Sequence, residues 1–187
     1  MPRLLSLLNL TLGHRLEAMR PRLYRLAFAW CHDGSLADDL AQEALAKALG
    51  RGEQLRESAS LESWLFAILN NCWRDHLRRR KEFVDVEELD ELILAHDDGP
   101  ERRYIRRQAT LRVRDAIASL PLAQRQVITL VDLEECSYAQ VAQILAVPVG
   151  TVMSRLARAR QAMRQTLSRE FGQPEPGQDR PMLRRIK

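Results

Sequence analysis

Arginines dominate the residues with chemical potential in this chain. The stretch VPVGTVMSRLARARQAMR (residues 147–164) carries Arg155, Arg158, Arg160 and Arg164 without a single acid. A second cluster, RDHLRRRK (residues 74–81), sets five cations against one acid. Guanidinium groups at helical spacing suit phosphates, base edges or carboxylates, because each is a fixed fork of N–H donors that stays charged. Between the two clusters, residues 85–98 hold seven acids and no cation. Charge segregated in this way implies separate surfaces with separate roles, although the formal net charge is only +4.

Chemistry of the enzymatic kind has little support. There is no Gly-rich phosphate loop and no nucleophile motif, and His14, His32, His76 and His96 are dispersed. Cys72 and His76 stand four residues apart on one helical pattern, with Cys31-His32 elsewhere, a spacing compatible with a metal site. The simpler reading is a core thiol and a surface imidazole, so we expect no metal, no cofactor and no catalysis. Three scattered cysteines look like reduced thiols of a cytoplasmic protein.

The elements that must position these residues are helical. Hydrophobic content is 45% but aromatic content only 5%, which favours aliphatic helix cores. Leu16, Met19, Leu23, Leu26, Ala27 and Trp30 repeat at three- and four-residue steps, as do Leu36, Leu40, Ala44 and Leu45, and then Leu61, Trp64, Leu65, Ile68, Leu69 and Leu77. Ser35 is a plausible N-cap for the second of these helices. Residues 14–82 therefore form one bundle. Residues 83–108 read as an acidic linker with one helical turn over residues 86–94. Residues 109–170 are helical again, and residues 171–187 lack a pattern able to build a core, so disorder is expected. No apolar run is long enough to cross a membrane. The apolar start lacks a small-residue cleavage site and reads as a helix or fraying lead-in.

Within the C-terminal part, Ser137 caps a short helix over residues 138–145, and Ala146-Val147-Pro148 makes a tight connection to the arginine-rich helix. Helix, tight turn and basic helix form the pattern of a helix-turn-helix, with an ordinary helical hairpin as the alternative. On a wheel of about 100° per residue, Val152, Leu156, Ala159 and Met163 gather within about 60° as a buried stripe. Ser154, Ala157, Arg158, Gln161 and Gln165 point away. Arg155 and Arg160 flank the stripe, suited to phosphates or to acids of neighbouring helices.

LPLAQRQVITLVDLEECSYAQVAQILAVPVGTVMSRLARARQAMRQTL (residues 120–167) resembles the −35-binding domain of extracytoplasmic-function (ECF) sigma factors. LADDLAQEALAKAL (residues 36–49) resembles the family's core-polymerase-binding segment, and SWLFAILNNCWRDHLRRRK (residues 63–81) its −10-recognition segment. The resemblance covers residues 14–168 in the family's order. A simple helix-turn-helix repressor would explain residues 120–168 but not the second segment.

The resemblance implies an all-α chain of two small helical domains that binds RNA polymerase core and promoter DNA and is controlled by an anti-sigma factor. It implies −35 contacts by Ser154, Arg155, Arg158, Arg160 and Gln161. For the −10 element it implies Asn71, Arg74, Arg78 and Arg79, together with loop residues 57–60. Asp39, Gln42 and Glu43 would meet the polymerase. Trp64 belongs to the core, and Trp73 either packs or stacks on a base. The acidic linker either mimics RNA near the polymerase active site or serves as a solvated spacer. The chain departs from the family pattern at Met153, usually basic, and at Ala157, often larger, so contacts there are not carried over.

Overall fold

The computed structural model describes residues 2–52, 61–83 and 104–171. The expected linker turn over residues 86–94, the loop at residues 57–60 and the tail from residue 172 onward lie outside the described residues. Seven α-helices make up the described chain: α1 (Pro2–Cys31), α2 (Gly34–Leu49), α3 (Leu61–Phe83), α4 (Tyr104–Ala118), α5 (Leu122–Ile128), α6 (Tyr138–Leu145) and α7 (Val149–Phe171). A π-helical turn, Thr129–Leu133, continues α5.

The apolar periodicity becomes burial. Leu16, Met19, Leu23, Leu26, Ala27 and Trp30 of α1 are all buried. They meet an α2 face built chiefly from alanines, namely Ala37, Ala41, Ala44 and Ala48 beside Leu40 and Leu45. Alanine in those places lets two helix backbones approach closely at no cost in helix propensity. From α3, Leu65, Phe66, Ile68, Leu69, Cys72 and Trp73 complete this group.

Two boundaries differ from the sequence expectation. Asp33, not Ser35, is the N-cap of α2: its Oδ1 accepts from the backbone N–H of Leu36 at 3.0 Å. Asp33 wins because His32, at φ 55°, has already closed α1 in the left-handed conformation, so the next residue is the first free to cap. Helix α4 starts at Tyr104, so residues 104–108 are helical rather than part of the spacer.

The C-terminal group is punctuated by local hydrogen bonding. Pro121 precedes α5, and its carbonyl accepts from Gln124 and Arg125. Ser137 and Gln140 form a reciprocal capping box at α6, with Ser137 Oγ accepting from Gln140 N–H and Gln140 Oε1 from Ser137 N–H. Ala146, at φ 54°, ends α6, and Val147 N–H returns to the Ala142 carbonyl at 3.0 Å. The Pro148 carbonyl then accepts from Thr151 and Val152 as α7 begins.

The two groups do not stand apart. Their buried residues merge into one continuous apolar cluster, with α3 packed on α6 and α1 on α4, α5 and the π turn. Polar groups cross the seam. Trp30 Nε1 donates to Thr129 Oγ1 at 3.0 Å, and Arg125 Nη1 to the Trp30 carbonyl at 2.8 Å. Asn70 Nδ2 donates to the Ile144 carbonyl at 3.0 Å while its Oδ1 accepts from Gln126 Nε2. Arg22 Nε reaches Glu134 Oε2 at 2.7 Å.

Candidate nucleic-acid interface

Helix α7 presents its stripe and its face as the wheel requires. Val152, Leu156 and Ala159 are buried, and Met163 packs half-buried against the same core. On the opposite side Ser154, Ala157, Arg158 and Gln161 are exposed, as is Arg164. The capped α6 and the three-residue connection hold α7 rigidly, so this face is a fixed platform. Ser154 Oγ donates back to the Thr151 carbonyl at 3.1 Å, which leaves its acceptor lone pairs toward solvent.

The four arginines differ in their surroundings. Arg155 is half-buried on one flank of the stripe. On the other flank Arg160 forms a two-point ion pair, Nε to Asp132 Oδ2 at 3.1 Å and Nη2 to Asp132 Oδ1 at 2.6 Å. That hydrogen bond to Asp132 raises the Arg160 pKa, outweighing partial burial. Its Nη1 lies outside the pair. Arg158 has no ion-pair or hydrogen-bond partner among the described residues. Met153, 54% exposed, puts an apolar side chain on the surface beside this face.

A second cationic surface lies on α3. Asn71, Arg74, Arg78 and Arg79 are all exposed. Asp75 anchors Arg78 at 2.7 Å, and Glu43 approaches Arg79 at 4.0 Å. Asn71, Arg74, Asp75 and Arg78 line a depression of about 470 Å³ together with Lys47 and Arg51 from the end of α2. Lys47 and Arg51 were not among the residues picked out from the sequence. Their only local signal is that of cations at a helix C-terminus, which the helix dipole already accounts for. Trp73 takes the packing alternative: it is 6% exposed and stacks on His76 with ring centroids 5.7 Å apart. Trp64 is half-buried against the core.

On α2, Asp39 and Gln42 are exposed and Glu43 is half-buried. Gln42 Nε2 donates to Asp38 at 2.7 Å, and Glu43 pairs with Lys47 one turn later, also at 2.7 Å. These internal bonds hold the polar face in a fixed geometry.

The cysteines have no converging partners. Among the described residues, no group of three or more His, Cys, Asp or Glu side chains is placed to hold a metal. Cys31, Cys72 and Cys136 are free thiols. Burial pushes the Cys136 thiol up to about 11 and raises Cys31 and Cys72 as well, which keeps all three from acting as nucleophiles near neutral pH. No described helix is long and apolar enough to cross a membrane.

Both cationic surfaces fall within recognised sequence families. Residues 16–83 match the model for Sigma-70 region 2, and residues 110–163 the model for Sigma-70 region 4. The chain is 33% identical over 155 residues to the RNA polymerase sigma-H factor of Pseudomonas aeruginosa, covering 78% of this chain and 80% of that protein. The chain belongs to the ECF sigma factors. To the ECF RNA polymerase sigma factor SigE of Mycolicibacterium smegmatis this sigma factor is 34% identical over 151 residues, 79% of its own length and 58% of the relative's. Its fold is similar to that of the sigma factor RpoE of Bartonella quintana in complex with the anti-sigma factor NepR. That match has a TM-score of 0.69 at 26% identity and covers 84% of this chain and 97% of that one. As an ECF sigma factor the chain directs RNA polymerase to promoters through its two regions.

Proposed function

We propose that α7 reads the −35 element with Arg158 at its centre and Ser154 and Gln161 beside it, while Arg155 and Arg160 hold phosphates. The observation that carries this reading is the exposed, acid-free face of α7, set on a buried stripe by a capped helix-turn-helix. Arg158 is the side chain with no internal partner, so its fork of donors is available to a guanine edge. Arg160, oriented by Asp132, keeps only Nη1 for a phosphate.

Asn71, Arg74, Arg78 and Arg79 line the path of the −10 strand, and Lys47 and Arg51 extend the same depression. Unstacking a base costs a few kcal/mol, which cationic contacts to the strand and the polymerase must offset. Asp39, Gln42 and Glu43 form the polymerase-facing surface of α2. The chain works in the cytoplasm as an initiation factor rather than a catalyst. An anti-sigma factor restrains it, in keeping with the partner bound to its Bartonella relative.

Promoter selection by the reconstituted holoenzyme tests the central assignment. Arg158→Ala should remove roughly 1–3 kcal/mol of discrimination, about 5- to 150-fold, at one or two positions of the −35 element. Arg160→Ala should weaken binding evenly across sequences and by less. Unchanged −35 preference in Arg158→Ala would show that another face of α7 reads the DNA.

A further inference from the structure

The seam between the two helical groups is built for one arrangement. Asn70 is 2% exposed, Arg125 7% and Thr129 fully buried, yet each has its polar atoms engaged across the seam or beside it. Buried polar groups are satisfied in a single geometry, so they select one docking pose from the many that an apolar seam alone would allow. Arg125 acts on both sides of the seam. Its guanidinium holds the Trp30 carbonyl at the end of α1 and the Leu120 carbonyl just beyond α4, two helix C-termini whose partial negative charge suits a cation.

This docked form conflicts with the reach that promoter recognition needs. Elements at −35 and −10 are about 25 base pairs apart, or roughly 85 Å at the helical pitch of DNA. A compact chain of this length has a radius of gyration of about 16 Å, so it is only about 40 Å across. Neither figure can stretch to meet the other. Residues 84–103 can extend to at most about 70 Å as chain, so the tether permits separation of the two groups.

We propose that the free sigma factor is closed on itself by the seam of Trp30, Asn70, Arg125, Gln126 and Thr129, and that binding RNA polymerase core requires this seam to open. The inference rests on the sigma-factor assignment. It adds that the chain inhibits itself by intramolecular contact, before any partner binds. Only the open fraction is competent, so the apparent affinity for core is the intrinsic affinity scaled by that fraction. The polar surfaces assigned to DNA and polymerase stay exposed in the closed form. Inhibition is therefore by geometry and not by covering those residues.

The test uses the full chain. Asn70→Ala combined with Gln126→Ala removes one bonded pair from both sides of the seam and leaves good helix formers behind. Free in solution, the double variant should have a larger scattering radius of gyration than wild type, by several ångströms. Its affinity for core polymerase should rise roughly tenfold, the shift expected from losing about two hydrogen bonds from the closed state. Thr129→Val, which keeps shape and removes the acceptor for Trp30, should move both readouts the same way by a smaller amount. It serves as the test should the double variant lose helicity. Wild type with an already expanded radius, or folded variants whose affinity for core equals that of wild type, would overturn the proposal. Failure of wild type itself to bind core would instead strike the sigma-factor assignment.

Discussion

Arg125→Met is the substitution with the largest expected effect on folding. Methionine keeps the length of the stem and removes the guanidinium, which is buried and held only by neutral carbonyls: Trp30 at 2.8 Å and Leu120 at 3.0 and 3.3 Å. Burial already pulls the Arg125 pKa below its ordinary value, a sign that the cation carries a desolvation cost. Losing the head group strands two carbonyl acceptors at roughly 1–3 kcal/mol each, and removal of the desolvation cost offsets part of that. The net loss should be about 2–4 kcal/mol, a large share of the 5–15 kcal/mol typical of a domain. Arg125→Lys, able to reach one carbonyl, should lose about half as much.

Urea titration distinguishes this from a local effect. All three tryptophans, Trp30, Trp64 and Trp73, lie in α1–α3, so fluorescence follows the N-terminal group while circular dichroism follows every helix. Coincident transitions in wild type and separated transitions in Arg125→Met would show that the seam couples the groups. A loss below about 1 kcal/mol with transitions still coincident would refute the assignment of Arg125 as the clasp.

Two further outcomes follow from local geometry. Ser137→Ala breaks the capping box of α6 and should cost about 1 kcal/mol by chemical denaturation; an unchanged midpoint would mean the box contributes nothing. His32 has a buried Nε2 without a hydrogen-bond partner, and burial, with Arg125 adding repulsion, lowers its pKa from 6.5 to about 4. The unfolded chain then binds a proton below about pH 6.5 that the folded chain refuses until near pH 4, so stability should fall as pH drops through that window. His32→Asn, which tolerates the left-handed φ of 55° at this position, should flatten that slope in urea midpoints taken between pH 7 and pH 4.5. Parallel slopes in the two proteins would show that His32 is not the group responsible.

The local features were legible in the sequence because their causes are local. The bounds of α6 follow from Ser137 and Gln140, and the buried stripe of α7 from the spacing of Val152, Leu156 and Ala159. Even the misplaced cap of α2 was a choice between residues two apart, decided by where His32 ends α1. The seam was illegible for the opposite reason. Asn70, Arg125 and Thr129 look like ordinary polar helix residues, and their partners lie 74, 95 and 99 residues away in the chain. Periodicity shows which side of a helix is apolar, but not which polar residue on its border will be closed over by another helix. Arg160 is intermediate: its flanking place was evident, whereas its partner Asp132, 28 residues back, appears only once α7 is folded onto the π turn.

Reconstitution with RNA polymerase core tests the account most directly. Purified chain, core enzyme and a set of promoter fragments are combined, and transcript start sites and DNA protection are mapped. The account predicts that the chain alone protects these promoters poorly. Chain and core together should protect both the −35 and −10 elements and start transcription at a defined site. Tight, site-specific protection by the chain without core, with no transcript when core is added, would contradict it and identify a repressor instead.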